Sequence, residues 1–232
     1  MTEATGIVAE PTVERLQLDD DSWVDVVRGL LLEPEAVYQH VVGTTRWGGS
    51  RLFRYDRWVE EPRQGAFWKA GDPVPHPVLL EVHRWIQERY RVRFDSFALA
   101  RYRNGHDGQA FHRDRDMRWL DETIIGVLTL GGQRPWHLRP RANRYDHDAH
   151  EAGARGATHD LAPAGGDLLV MGGACQARWE HSVPQVRTRP VPERVSIQWR
   201  WTSKQGRPVE GASYRAARTY GSRSGATGQD FR

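Results

Sequence analysis

The stretch Phe97–Asp116, FALARYRNGHDGQAFHRDRD, decides how this chain is read. An alternating apolar run, Phe97–Tyr102, passes through a Gly- and Asn-rich turn into His112-Arg113-Asp114. In an extended segment residues two apart point to the same side, so His112 and Asp114 present an imidazole and a carboxylate to one metal ion. That pair is the local half of a facial triad, the ligand set of a non-haem Fe(II) oxygenase once a second His arrives from elsewhere. Alone it is weak: with ten His in the chain, roughly one such triplet is expected by chance, and a solvated loop is its bland reading.

The surrounding texture is that of short strands. Apolar runs at Phe97–Tyr102, Ile124–Leu130, Trp136–Leu138, Leu168–Met171, Arg178–Val183 and Val195–Trp201 are separated by Gly, Asn and Pro, with no helical crossovers between them. This predicts an antiparallel double sheet or barrel, for which a jelly roll is one closed solution. Before it, Thr12–Leu18 reads as a short strand, and Asp19–Ser22 as a turn. Pro34–Val42 reads as a short helix with Val37 and Val41 on one face. Pro77–Tyr90 is a longer amphipathic helix, with Val78, Val82, Ile86 and Tyr90 in one row and His83 on its surface. Between the helices, Thr45–Pro73 is dense in Arg, Gly and aromatics without a clean period, which suits a hairpin-and-loop surface making substrate contacts.

Four spans follow: a flexible leader 1–11, an N-terminal extension and substrate lid 12–93, a β core 94–202, and a disordered basic tail 203–232. The polar run Arg139–His159 holds His147, Asp148, His150 and His159, read as a solvated insertion loop in preference to a second metal site. At 232 residues the chain can bury a sizeable core without disulfides. Its one cysteine, Cys175, admits no intrachain bridge, which favours a cytoplasmic setting. No apolar run reaches the length needed to span a bilayer, so no membrane partner is expected. Formal charge is only +3, but Lys69 and Lys204 are the only lysines. Arginines interleaved with ten Trp suit phosphate contacts and base stacking, and a pI near 9.2 agrees with an anionic partner.

Two further pieces follow the triplet in order. His181 comes just after GGDLLVMGG, and Arg194–Arg200, RVSIQWR, is an alternating strand with Arg194, Ser196, Gln198 and Arg200 on one face. Arginines on an inward face are costly unless each meets an anion. A dicarboxylate co-substrate would meet that need, with Arg194 taking its distal carboxylate as a bidentate pair; the alternative is pairing with protein carboxylates.

Taken together these strings resemble the AlkB group of Fe(II)/2-oxoglutarate-dependent nucleic-acid demethylases over roughly Pro62–Trp201. The matching pieces are Pro62-Arg63, RYRNGHD at Arg101–Asp107, HRDRD at His112–Asp116, LTLGGQRPWHLR at Leu128–Arg139, GGDLLVMGG at Gly165–Gly173, WEHSVP at Trp179–Pro184 and RVSIQWR at Arg194–Arg200. The resemblance implies a mainly β fold with flanking helices: a double-stranded β-helix (jelly-roll) core carrying an N-terminal nucleotide-lid extension. It implies His112, Asp114 and His181 as Fe(II) ligands, with 2-oxoglutarate and O2 as co-substrates. Tyr102 and Arg194 would hold the distal carboxylate of 2-oxoglutarate, and Arg200 would lie near its other end and Asp114. Asp116 and Arg200 take the catalytic positions, and Asp116 also matches the acidic position that contacts the target base; the bland alternative is pairing with Arg113 or Arg118. Arg63, Phe67 and Trp68 are candidates for substrate contact, the two aromatics for stacking on a flipped base. Where family members carry Asn two residues before the Tyr, this chain has Ala100, which removes one hydrogen bond to the co-substrate. The expected reaction is oxidative demethylation of alkylated bases such as 1-methyladenine and 3-methylcytosine in DNA, with RNA as a further substrate, by a monomer. Two alternatives are a 2-oxoglutarate-dependent hydroxylase of a protein or small metabolite, and a catalytically inactive nucleic-acid-binding module.

Overall fold

A computed structural model describes residues 6–54, 57–114, 117–141, 158–206 and 208, and for 50–54 and 57 the backbone alone. Most of the leader's first half, Asp116, the insertion residues His147, Asp148 and His150, and nearly all of the tail lie outside the described residues.

Residues Arg194–Thr202 form the strand around which the larger sheet is built. Their alternation is strict: Val195, Ile197 and Trp199 are fully buried toward one side, while Arg194, Ser196, Gln198 and Arg200 line the other. In chain order the strands are β1 (Glu14–Gln17), β2 (Ser22–Val27), β3 (Gly48–Arg54), β4 (Arg57–Lys69), β5 (Ser96–Tyr102), β6 (Gln109–His112), β7 (Thr123–Gly131), β8 (His137–Pro140), β9 (His159–Asp160), β10 (Leu168–Gly173), β11 (Trp179–Val183) and β12 (Arg194–Thr202). They make two antiparallel sheets, one in the order β1-β2-β10-β7-β12-β5-β4-β3 and a smaller one in the order β6-β11-β8-β9. The jelly-roll expectation is met. Four strands of the span 12–93 belong to the larger sheet, so that span is hydrogen-bonded directly to the β core.

Two apolar layers cover the faces of the larger sheet. On the outer one, Val195, Ile197, Trp199, Leu128, Leu130, Phe97 and Leu99 pack with α1 (Pro34–Thr44), through Val37 and Val41, and α2 (Val78–Tyr90), through Val78, Leu79, Val82 and Ile86. The inner layer lies between the sheets and joins Val24, Val26, Ile125, Val127, Leu169 and Met171 to Leu138, Trp179 and Val183. Each such side chain, removed from water, contributes about 1.5–3 kcal/mol.

Two local outcomes differ from the sequence expectations. His83 is buried, 8% exposed, and not on the helix surface. Leu79 and His83 form a second row beside Val78-Val82-Ile86, so α2 buries a wider face than its apolar row shows. The His83 ring packs against Trp68 and Phe94, and its Nδ1 accepts a hydrogen bond from Trp199 Nε1 at 3.1 Å. The second outcome is β2, SWVDVV, which directly follows the Asp19–Ser22 turn. Its buried Asp25 accepts a bidentate pair from Arg15 at 2.7 and 2.9 Å and a third bond from the Tyr90 hydroxyl at 2.9 Å. A carboxylate so satisfied is compatible with a strand interior.

Candidate metal centre

The ladder between β6 and β11 sets His112 opposite His181. Their ring centroids lie 4.3 Å apart. Asp114 follows just past the end of β6, and the candidate ligand atoms of His112, Asp114 and His181 all lie within 4.8 Å of one another. His112 Nε2 is 3.7 Å from Asp114 Oδ1, while its Nδ1–H donates to the Ala110 carbonyl at 2.9 Å. A carbonyl on one ring nitrogen fixes the tautomer and leaves the other nitrogen free to ligate. His181 is buried, stacks on Trp136 at 5.5 Å and 16°, and keeps its Nδ1 without a hydrogen-bond partner among the described residues.

The electrostatics put these groups in the protonation states a cation needs. Burial lowers the pKa of His112, and burial followed by the nearby His112 lowers that of His181 to about 3, so both imidazoles are neutral at pH 7. The pKa of Asp114 is lowered too, but against burial, which would raise it: Arg200, then His181 and His112, hold its carboxyl well below the usual range. Arg200 Nε donates to Asp114 Oδ2 at 2.9 Å, and its Nη2 bonds to Gln198 Oε1.

The same face of β12 carries a second, anion-seeking feature. Arg194 is fully buried, and only its Nη2 finds a partner, Thr129 Oγ1 at 3.2 Å; Nε and Nη1 have none among the described residues. Burial depresses its pKa to about 10, with Arg134 adding repulsion against the opposing Tyr102 and Asp160. Tyr102 pairs with Arg194 in the β5–β12 register, and Arg63 Nη1 lies 3.5 Å from its hydroxyl. Beside them Gly65, Ala100, Ser196 and Thr129 are successive cross-strand partners, a lane of small residues in which the Ser196 hydroxyl is buried and without a hydrogen-bond partner among the described residues. Ala100 widens this lane where a longer amide would fill it.

Of the candidates for substrate contact, Arg63 reaches Tyr102 and is thus joined to the site. Phe67 shares its strand parity, lies opposite Ala98 in β5, and is 66% exposed. Trp68 is not brought to the site. It points to the outer layer, 7% exposed, stacked on Phe97 at 4.7 Å and donating from Nε1 to the Asp72 carbonyl. Neighbours in a strand face opposite ways, so only one of the two aromatics can look inward. Asp116 lies outside the described residues.

Sequence reasoning missed Arg134, Trp136, Thr129 and Gln176. Arg134, 1% exposed, sits 5.7 Å from the Tyr102 ring centroid and donates to the Asn104 and Asp107 carbonyls at 3.0 and 2.8 Å. It therefore braces the loop joining Tyr102 to β6. Nothing local in GGQRPWHLR marks that role; an arginine flanked by turn residues is the only signal.

Residues 32–211 match the family model of the 2OG-Fe(II) oxygenase superfamily. The chain belongs to that superfamily. Its relatives place this oxygenase on the AlkB side of it. It is similar to the human alpha-ketoglutarate-dependent dioxygenase alkB homolog 3, 30% identical over 159 residues, which are 67% of this chain and 50% of that protein. The Bos taurus homolog 3 is 31% identical over 141 residues, 61% of this chain and 45% of that one. Human DNA oxidative demethylase ALKBH2 is 25% identical over 183 residues, 72% and 68% of the two chains. The oxygenase thus spans about half the length of the homolog 3 proteins it matches. A prolyl hydroxylase from Trichoplax adhaerens, solved with a peptide fragment of hypoxia inducible factor, shares the fold with a TM-score of 0.51 and 14% identity, covering 77% of this chain and 83% of that one.

The superfamily's Fe(II) and 2-oxoglutarate suit the residues present in this oxygenase. Two neutral imidazoles and one carboxylate are a donor set for Fe(II). A buried guanidinium with two unpartnered nitrogens is a seat for a carboxylate.

Proposed function

We propose that this chain is an Fe(II)/2-oxoglutarate-dependent dioxygenase that demethylates N-alkylated bases such as 1-methyladenine and 3-methylcytosine in DNA, with RNA as a further substrate. The observation that carries the reading is the pairing, on one side of the larger sheet, of the His112–Asp114–His181 cluster with the under-bonded, fully buried Arg194. The nucleic-acid part rests on the AlkB relatives and on Phe67 and Arg63 at the site's open side.

In this reading His112, Asp114 and His181 hold iron, while Arg194 and Tyr102 take the distal carboxylate of 2-oxoglutarate. Bound there, iron with 2-oxoglutarate and O2 would supply the oxidant for hydroxylating an N-methyl carbon, with succinate and CO2 as co-products and the methyl carbon released as formaldehyde. The protein's part is positional. Arg200 keeps Asp114 ionised and fixes its carboxylate by the 2.9 Å bond. Thr129 anchors one end of the Arg194 guanidinium, so its remaining donors are aimed before ligand arrives. The apolar layer between the sheets keeps water from the back of the site. Phe67 stacks on the target base and Asp116 accepts from its amino group. A base in a duplex cannot reach this depth, so it is flipped out or presented in a single strand. The same proposal includes a monomeric, cytoplasmic protein, in keeping with a single buried cysteine, Cys175. Among the described residues no helix is long and apolar enough to cross a membrane.

The test is the mass change of methylated DNA and RNA oligonucleotides incubated with protein, Fe(II), 2-oxoglutarate and O2. Loss of a methyl group dependent on all three supports the reading; succinate formed without change in either nucleic acid rejects its substrate half.

A further inference from the structure

Asp114 is held differently from the two histidines with which it clusters. His112 and His181 are locked together by the β6–β11 ladder, but that ladder ends at His112. Among the described residues the backbone at Asp114 has no strand partner to set its position, and its carbonyl accepts a long 3.3 Å bond from the Met117 N–H, although its carboxylate must lie within a few tenths of an ångström of a productive place.

A side chain takes over that task. The Asp114 N–H donates to Gln176 Oε1 at 2.9 Å, across 62 residues of sequence. Gln176 is 1% exposed and sits in α3 (Cys175–Arg178), the single helical turn that runs directly into β11 and His181. Its Nε2 faces the Met171 sulfur at 3.9 Å. Sulfur is a weak acceptor, so the amide is oriented with its oxygen toward the Asp114 N–H. A second clip runs beside it, from Arg113 Nη1 to the Ala177 carbonyl at 3.3 Å. The backbone leading to Asp114 is thus tied to the same turn that launches His181, while Arg200 fixes the carboxylate end.

We propose that Gln176 is the positioning residue of the metal centre, replacing the missing ladder bond at Asp114 and setting its carboxylate in register with His112 and His181. The inference rests on the reading that these three residues hold iron. Gln176 touches no reacting atom and acts only through the Asp114 backbone. Partners of this kind typically change metal affinity by about 10- to 100-fold.

The full chain, stripped of metal, is titrated with Co(II) and followed by its visible absorption. Gln176→Leu keeps the volume and removes the acceptor; Gln176→Glu keeps an acceptor at the same reach. The Leu variant should bind Co(II) about 10- to 100-fold more weakly, with altered absorption bands, and the Glu variant should recover most of that loss. In the metal-free wild type the Asp114 amide should exchange slowly with solvent, and Gln176→Leu should accelerate it while leaving the Leu128 amide unchanged. Wild-type Co(II) affinity in the Leu variant, equal losses in Leu and Glu, or a fast-exchanging Asp114 amide in the wild type would each overturn the proposal. His112→Ala separates the two layers: if it binds Co(II) as well as the wild type, the metal-site reading fails, whereas a failed Gln176 series beside a damaged His112→Ala overturns only the positioning role.

Discussion

Replacing Arg194 with Met removes a positive charge from a place where the described residues leave it nearly unsupported. The guanidinium is fully buried, and its pKa falls from 12.5 to about 10, chiefly through burial. At about 1.4 kcal/mol per pH unit, that drop means the charge costs the folded protein on the order of 3 kcal/mol. The sign holds throughout the neutral range: an unfolded arginine is protonated there, so the cost persists at every pH below the folded value and vanishes only in strong alkali. Met matches the stem but not the planar head, and the small void it leaves returns about 1 kcal/mol of destabilisation. The ligand-free variant should therefore be at least as stable as the wild type, by about 1–2 kcal/mol. Ligand reverses the order. With Mn(II) in the metal site, 2-oxoglutarate at a hundred times its dissociation constant should stabilise the wild type by about 2.7 kcal/mol and the variant hardly at all. Chemical denaturation with and without 2-oxoglutarate measures both. A variant that loses more than about 2 kcal/mol without ligand, yet is still stabilised by 2-oxoglutarate, would refute the reasoning and make Arg194 a structural residue.

Further outcomes are expected. His112→Ala and Asp114→Ala should abolish succinate formation from 2-oxoglutarate while leaving the far-ultraviolet circular dichroism intact; turnover at the wild-type rate in either would reject the assigned ligands. Phe67→Ala should leave stability nearly unchanged and raise the KM for methylated oligonucleotide, whereas Trp68→Ala should cost about 3–5 kcal/mol of stability as a truncated core aromatic; paired melting and kinetic measurements would expose the reverse pattern. His83 has its pKa lowered by burial. Below pH 6.5 the unfolded state takes up its proton first, so stability should fall as pH drops from there, by at most about 1.4 kcal/mol per pH unit. His83→Gln, which can still accept from Trp199, should flatten that dependence, and an unchanged slope would show that His83 does not contribute. Asp116→Ala should depress demethylation of the cationic bases 1-methyladenine and 3-methylcytosine more than that of neutral 3-methylthymine; equal losses would mean that Asp116 does not read the base.

What could be read in advance depended on whether a residue's role was local. RVSIQWR shows its two faces by alternation alone, and these became a core stripe and a site stripe. His112 and Asp114 were legible for the same reason, being two residues apart. Gln176, Arg134 and Trp136 were not, because each acquires its role from a partner tens of residues away, and a single glutamine or arginine near a turn carries no periodic signal. Asp25 hid β2 by placing a charge inside an apolar run, and only Arg15 and Tyr90 make that charge admissible. His83 was hidden in the same way, as a polar residue whose acceptor nitrogen meets a tryptophan from β12. The choice between Phe67 and Trp68 is one of parity, and the parity of β4 is set by its register with β5, a property of the pair of strands and not of either sequence.

That parity makes β4 a two-sided component with separable duties. Arg63, Gly65 and Phe67 belong to the site side, and Gln64, Ala66 and Trp68 to the core side, on one continuous strand. Odd-numbered positions are thus open to change, so that selectivity can drift there at little expense to the fold. A single-residue insertion or deletion between Gln64 and Trp68 acts in the opposite way. It would bring the indole to the site side and push the phenyl ring into the layer beneath α2, so this segment tolerates substitution at its site-side positions and resists change in length.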